Sequence, residues 1–65
     1  MAEADLDAVR REFANLTGLF EDAALIASAG QGVKSFEGGR RCLRRLSASM
    51  ERVRRRLIIL ERRLQ

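Results

Sequence analysis

Apolar residues recur along two long segments of this chain at alternating steps of three and four. These steps are those of heptad positions a and d, where side chains meet between packed helices. They predict two helices that pack side by side through one apolar core. With Leu6 and Leu43 each taken as position a, the predicted core residues are Leu6, Val9, Phe13, Leu16, Phe20, Ala23, Ala27, Phe36, Leu43, Leu46, Met50, Val53, Leu57, Leu60 and Leu64.

A glycine-rich break, SAGQGVKSFEGG, separates the two segments at residues 28–39. Gly30 is placed to follow the last turn of the first helix, where glycine favours the left-handed conformation. Ser35 is placed to cap the second helix with its hydroxyl oxygen. The break therefore predicts the end of one helix and the start of the next.

These signals divide a single domain of 65 residues into a first helix over about 3–29, a loop over about 30–35 and a second helix over about 35–64. A short connection favours antiparallel neighbours. The predicted fold is all-α, an antiparallel two-helix hairpin of the coiled-coil type. One long kinked helix that trimerises is the alternative.

Charge is divided unequally between the two halves, which favours the antiparallel pairing. Residues 1–29 carry six acids and two arginines, a net charge of −4, and residues 30–65 carry eleven bases and three acids, a net charge of +8. With the turn centred near residue 33, Glu12 is expected to face Arg54 and Asp22 to face Arg44. Each exposed pair contributes little, but the set biases the orientation.

The chain is short for a stable single core, which supplies roughly 3–5 kcal/mol at this size. Disulfides and metal sites commonly compensate, but there is one cysteine, Cys42, and no histidine. A single thiol forms no internal disulfide, and no zinc ligand set can be assembled. We therefore expect association with another chain, as a four-helix bundle or on a larger partner.

Some apolar residues fall outside the a and d positions and suggest where that association occurs. The first helix is apolar around most of its circumference over residues 19–29, and two isoleucines interrupt the arginines of the second helix. A helix that is apolar all round is buried all round. The residues of this predicted second interface are Leu19, Leu25, Ile26, Ile58 and Ile59.

Arginines fill most of the remaining positions of the second helix and support an alternative, binding to an RNA or DNA backbone. The acidic first helix and the absence of tyrosine and tryptophan, which serve as stacking platforms, argue against it. The candidate nucleic-acid residues are Arg44, Arg45, Arg52, Arg55 and Arg62.

Enzymatic chemistry is not expected, since the chain has no histidine and no paired nucleophile and base. We expect no cofactor, metal, small-molecule substrate or membrane span. The acidic opening MAEADLDAV is unlike a signal peptide and predicts a cytoplasmic location, with the nucleus as alternative. The predicted function is a small protein–protein interaction, adaptor or regulatory subunit, co-chaperone-like or part of an assembly, in a homodimer or a hetero-complex.

In plan, the predicted hairpin resembles the dimeric helical hairpins of plasmid copy-number regulators, which bind RNA duplexes. It also resembles the two-helix co-chaperones of type III secretion. The likeness is one of architecture without a shared residue motif, so it implies no site residue in this chain.

Overall fold

The structure is a computed structural model that describes residues 3–65, with side chains from Leu6 onward. Two α-helices, α1 (Glu3–Gly30) and α2 (Phe36–Arg63), form an antiparallel hairpin, and residues 3–65 contain no strand. The Cα atoms span 52 × 15 × 10 Å, so the hairpin is a flat ribbon. The predicted all-α hairpin is confirmed, and the single kinked helix is excluded.

Helix α2 begins at the serine that the sequence predicts as its cap. Ser35 has an extended backbone, and its side-chain oxygen accepts a hydrogen bond from the Gly38 amide at 3.0 Å. Glu37 lies in the first turn and Arg62 and Arg63 in the last, so each charge complements the helix dipole. The cap therefore fixes the start of α2 at Phe36, although two glycines lie in its first turn.

Helix α1 ends differently from the prediction, because Gly30 is its last helical residue and does not take the left-handed conformation. No glycine in the described residues has a positive φ. The chain leaves α1 through successive turns, in which the Gln31 amide donates to the Ser28 carbonyl at 3.1 Å and the Gly32 amide to the Ala29 carbonyl at 3.1 Å. These turns occupy carbonyls that a left-handed cap would otherwise satisfy.

The two helices pack through heptad positions d and g, whereas the sequence predicts a and d. This d/g seam again has alternating steps of three and four on each helix. Val9, Leu16, Val53 and Leu60 form its buried core, with Leu19 packed against them. The buried and half-buried residues of the seam are Val9, Glu12, Leu16, Leu19, Ala23, Ile26 and Gly30 on α1, and Gly39, Cys42, Leu46, Ser49, Val53 and Leu60 on α2.

The predicted core is therefore corrected at every a position. The structure buries five of its members, Val9, Leu16, Ala23, Val53 and Leu60, and half-buries Leu46. The others lie at position a, beside the seam, where the neighbouring helix does not cover them. These exposed residues are Leu6, Phe13, Phe20, Ala27, Phe36, Leu43, Met50, Leu57 and Leu64.

Small residues near the loop give the physical reason for the d/g seam. A Cβ added to Gly30 would lie 3.1 Å from the Cys42 Sγ, and the Cys42 thiol itself donates to the Ile26 carbonyl at 3.2 Å. Helices approach this closely only where side chains are small. Phenylalanine and methionine at the a positions would hold the backbones apart in an a/d seam.

The register differs slightly from the prediction. Glu12 pairs with Arg56, at 3.4 Å between Arg56 Nη1 and Glu12 Oε1, and not with Arg54. Within the described side chains this is the ion pair that joins the two helices. The Ile26–Cys42 contact near the loop and the Glu12–Arg56 contact far from it together define the antiparallel alignment.

Two glycines provide a matched test of the close helix approach. Gly18 lies inside α1 with nothing within 4 Å of an added Cβ, so Gly18→Ala is expected to raise the free energy of unfolding by about 0.5–1 kcal/mol. In Gly30→Ala the added Cβ contacts the Cys42 Sγ, so this variant is not expected to gain stability. It is expected to destabilise the hairpin by about 1 kcal/mol. Urea unfolding of both variants measures the difference.

The thiol is the cause assigned to the Gly30→Ala loss, so removing it should restore stability. In the double variant Gly30→Ala/Cys42→Ala, most of the loss is expected to disappear. An equal gain for Gly18→Ala and Gly30→Ala would contradict close packing at this end of the hairpin.

Candidate functional site

The d/g seam places the a positions of both helices on the same side of the ribbon. Each helix is right-handed and the two are antiparallel, so position a lies on one flank of the seam in both, and position c on the other. The surface grooves agree with this geometry. One groove is lined by Leu57, Leu60 and Leu64, and grooves on the opposite side join Asp22 and Ile26 to Arg45 and Arg52.

The side that carries the a positions is strongly apolar, and we call it the apolar face. Its large side chains remain between 40% and 88% exposed in the hairpin. Exposed apolar side chains scattered singly are ordinary, but a contiguous set is not. The large residues of the apolar face are Leu6, Phe13, Phe20, Phe36, Leu43, Met50, Leu57 and Leu64.

The opposite side, which we call the arginine face, is formed by Arg41, Arg45, Arg52 and Arg55 at positions c and f of α2. Arg45 and Arg52 line one shallow groove, and Arg52 and Arg55 line another. All four side chains belong to exposed residues. The ribbon therefore has two chemically different faces.

The structure brings together three of the five candidate nucleic-acid residues. Arg45, Arg52 and Arg55 share the grooves of the arginine face. Arg44 is at position b, on the outer edge opposite the seam, and Arg62 lies in the last turn of α2. Neither belongs to the residues that line those two grooves.

Four of the five residues predicted as a second interface line two grooves that share Arg52, with Leu25 and Ile26 in one groove and Leu19 and Ile59 in the other. Leu19 and Ile26 are half-buried in the d/g seam, because the rotation of α1 turns position g toward α2. Leu25 is 72% exposed and lines the groove that contains Arg45 and Arg52. Ile59 lines the groove that also contains Leu19, and Ile58 is exposed on the outer edge of α2. An interface through these five residues stays a prediction.

Two polar residues, Glu12 and Ser49, are buried in the seam, which the sequence did not predict. Ser49 is completely buried, and its Oγ has no hydrogen-bond partner. Glu12 is 8% exposed, and its Oε2 also has none, although Oε1 pairs with Arg56. In a heptad pattern, serine and glutamate outside positions a and d are predicted to lie on the surface. The available signal was on α2, where the small residues Gly39, Cys42 and Ser49 share one three-and-four spacing with Leu46 and Val53.

Ligand-binding chemistry is sparse in the part of the chain that the structure describes. Those residues contain no group of three or more histidine, cysteine, aspartate or glutamate side chains able to hold a metal ion. Cys42 is a free, half-buried thiol engaged with the Ile26 carbonyl. Neither described helix has a stretch apolar and long enough to cross a membrane.

The fold defines an all-α protein of the two-helix hairpin class, with one apolar and one basic face. Comparisons with protein-family models, curated proteins and solved structures find no match to this chain.

Proposed function

We propose that this chain is a small non-enzymatic protein–protein interaction subunit, an adaptor or regulatory component that acts by helical packing. The observation that carries the proposal is the apolar face. Its eight large side chains are on average half exposed, and with roughly 200 Å² for each large side chain they present about 800 Å² of apolar surface. The largest apolar patch on an ordinary monomer is about 300–600 Å².

The size of this surface also satisfies the energetics of association. Covering about 800 Å² of apolar area contributes on the order of 20 kcal/mol before costs. The loss of translational and rotational freedom on association costs about 4–15 kcal/mol. A helical partner that covers the apolar face therefore gains enough to form a stable complex, and the short chain gains stability from it.

Basic residues on the arginine face support a second candidate function, binding to the backbone of RNA or DNA. Arg45, Arg52 and Arg55 are exposed and share grooves on the side opposite the apolar face. Asp22 lies in the groove with Arg45 and Arg52 and lowers the local positive charge. This lower positive charge weakens the case for nucleic acid and favours protein–protein interaction.

Affinity purification of the tagged chain, with quantitative mass spectrometry, tests the proposed function. Wild type is compared with Phe13→Glu/Phe20→Glu, which places charge on the apolar face, and with Leu25→Glu, which places it in the groove lined by Arg45 and Arg52 on the opposite side. We expect the double variant to lose at least about 10-fold of the bound protein, because burying an unpaired carboxylate costs several kcal/mol. The Leu25 variant is expected to retain it.

Each purification is repeated after nuclease treatment, with circular dichroism to establish that each variant is helical. A partner lost on nuclease treatment but retained by the double variant would contradict the proposed function and favour the nucleic-acid candidate. Equal retention by wild type and the double variant, with nuclease present, would also contradict it.

A further inference from the structure

We infer that the apolar face is covered by a second copy of this chain, with α1 packed on the partner's α2 and the two loops at the same end of a four-helix bundle. This inference rests on the proposed function and deepens it by naming the occupant. It is carried by the area of the face, by the match of side chains across it and by the charges of the two helices.

The area of the apolar face is that of a complete subunit interface. At about 800 Å² per chain it equals what each partner contributes to a standard protein–protein interface, about 800 Å². Both helices contribute to it along their whole length, and the ribbon is only 10 Å thick in its Cα atoms. Two such ribbons stacked face to face have the layered arrangement of a four-helix bundle.

The side chains of the face match when a second copy is placed so that α1 lies over the partner's α2. A two-fold axis parallel to the helices keeps each residue at its own height, so the observed register also sets which residues meet across the interface. Phe20 then meets Met50 of the other copy, and Phe13 meets Leu57. The remaining layers are Leu6 with Leu64 and Ala27 with Leu43.

Phe36 gives this arrangement a closed end. It is 88% exposed and is the first residue of α2, beside the loop. With both loops at one end, the two Phe36 rings lie at the same end of the bundle and cover its last layer. Aromatic rings in this position favour contact with each other over exposure to water.

Charge distinguishes this arrangement from the other two-fold stacking of the same faces. Helix α1 carries six acids and two arginines, a net −4, and α2 carries ten arginines and three acids, a net +7. The alternative axis, across the ribbon, places α2 on the partner's α2 and sets two strongly basic helices side by side. Placing α1 on the partner's α2 instead sets helices of opposite net charge side by side, although Glu12 lies in the seam and Asp22 on the arginine face.

Sedimentation equilibrium of the purified chain tests the stoichiometry. We expect a dimer at micromolar concentration, and Phe20→Glu is expected to raise the dimer dissociation constant by at least about 100-fold, since each dimer buries two such carboxylates. Leu25→Glu, with the same charge change off the face, is expected to leave it within about 3-fold. A chain that is monomeric at all concentrations, or of any other order, overturns the inference.

The orientation is tested without altering the apolar face. Lys34→Cys in a Cys42→Ser background places one spin label in each loop, and double electron–electron resonance measures their separation. We expect less than about 25 Å. Loops at opposite ends would be separated by about 40 Å, the length of a helix of 28 residues, and that distance overturns the inference.

Failure of this inference is distinguishable from failure of the proposed function. If the wild-type chain is monomeric but still binds a partner through the apolar face after nuclease treatment, the inferred homodimer is wrong. The proposed function as an interaction subunit is then still supported. The orientation test does not depend on whether Phe20→Glu folds, because the spin-labelled protein keeps Phe20 and the rest of the apolar face unchanged.

Discussion

Replacing Leu16 with alanine is expected to lower the free energy of unfolding of the hairpin by about 2–4 kcal/mol, most of what a core of this size supplies. Leu16 is 5% exposed and belongs to the buried cluster with Val9, Val53 and Leu60. Its truncation removes apolar contact and leaves a cavity that two straight helices do not close. The midpoint of thermal unfolding should fall by roughly 10–25 °C.

Leu25→Ala is the matched control, since it makes the same change nine residues away on the same helix. Leu25 is 72% exposed, and its truncation is expected to change the free energy of unfolding by less than about 0.5 kcal/mol. Thermal unfolding followed by circular dichroism compares the two at one protein concentration, because association makes the midpoint depend on concentration. Similar losses for both variants would argue against the buried cluster.

Ser49 is expected to respond in opposite directions to a smaller and a larger apolar side chain. Ser49→Ala removes a hydroxyl that is buried without a hydrogen-bond partner, and is expected to stabilise the hairpin by about 1 kcal/mol. Ser49→Leu inserts volume where the seam has no room, and is expected to cost about 1–3 kcal/mol. Urea unfolding of both variants measures the sign of each change in the free energy of unfolding.

The same substitutions at Ser47 provide the control. Ser47 is exposed on the same helix and lies outside the seam, so its alanine and leucine variants report helix propensity without burial in the seam, a gain of about 0.5 kcal/mol or less. The contrast also tests the seam itself. In an a/d seam, residue 49 would stand at the edge and tolerate leucine, so a neutral Ser49→Leu variant would show that the helices do not pack through positions d and g.

Local features of this protein were predictable because they depend on short-range chemistry. The Ser35 cap follows from a hydroxyl placed before a helical segment, and the structure shows its bond to the Gly38 amide. Gly30 was placed correctly at the end of α1 but for the wrong reason. Its role is close contact with Cys42, which depends on a residue on the other helix.

The candidate site was less predictable, because it depends on which side of each helix turns inward. Leu19 and Ile26 were predicted to be available to a partner and lie in the seam, whereas Phe13 and Phe20 were predicted to be core and lie exposed. Both sets are apolar and both repeat every seven residues. A rotation of each helix by about 50° exchanges one set for the other, and the heptad spacing is the same before and after.

The sequence by itself determined two helices, the break between them, the cap that starts α2 and the division of charge that favours an antiparallel pair. It also showed more apolar surface than one seam can cover. Only the tertiary structure decided which surface that is. Small residues at Gly30, Cys42 and Ser49 let the backbones approach along positions d and g, and this close approach leaves the larger side chains together on one open face.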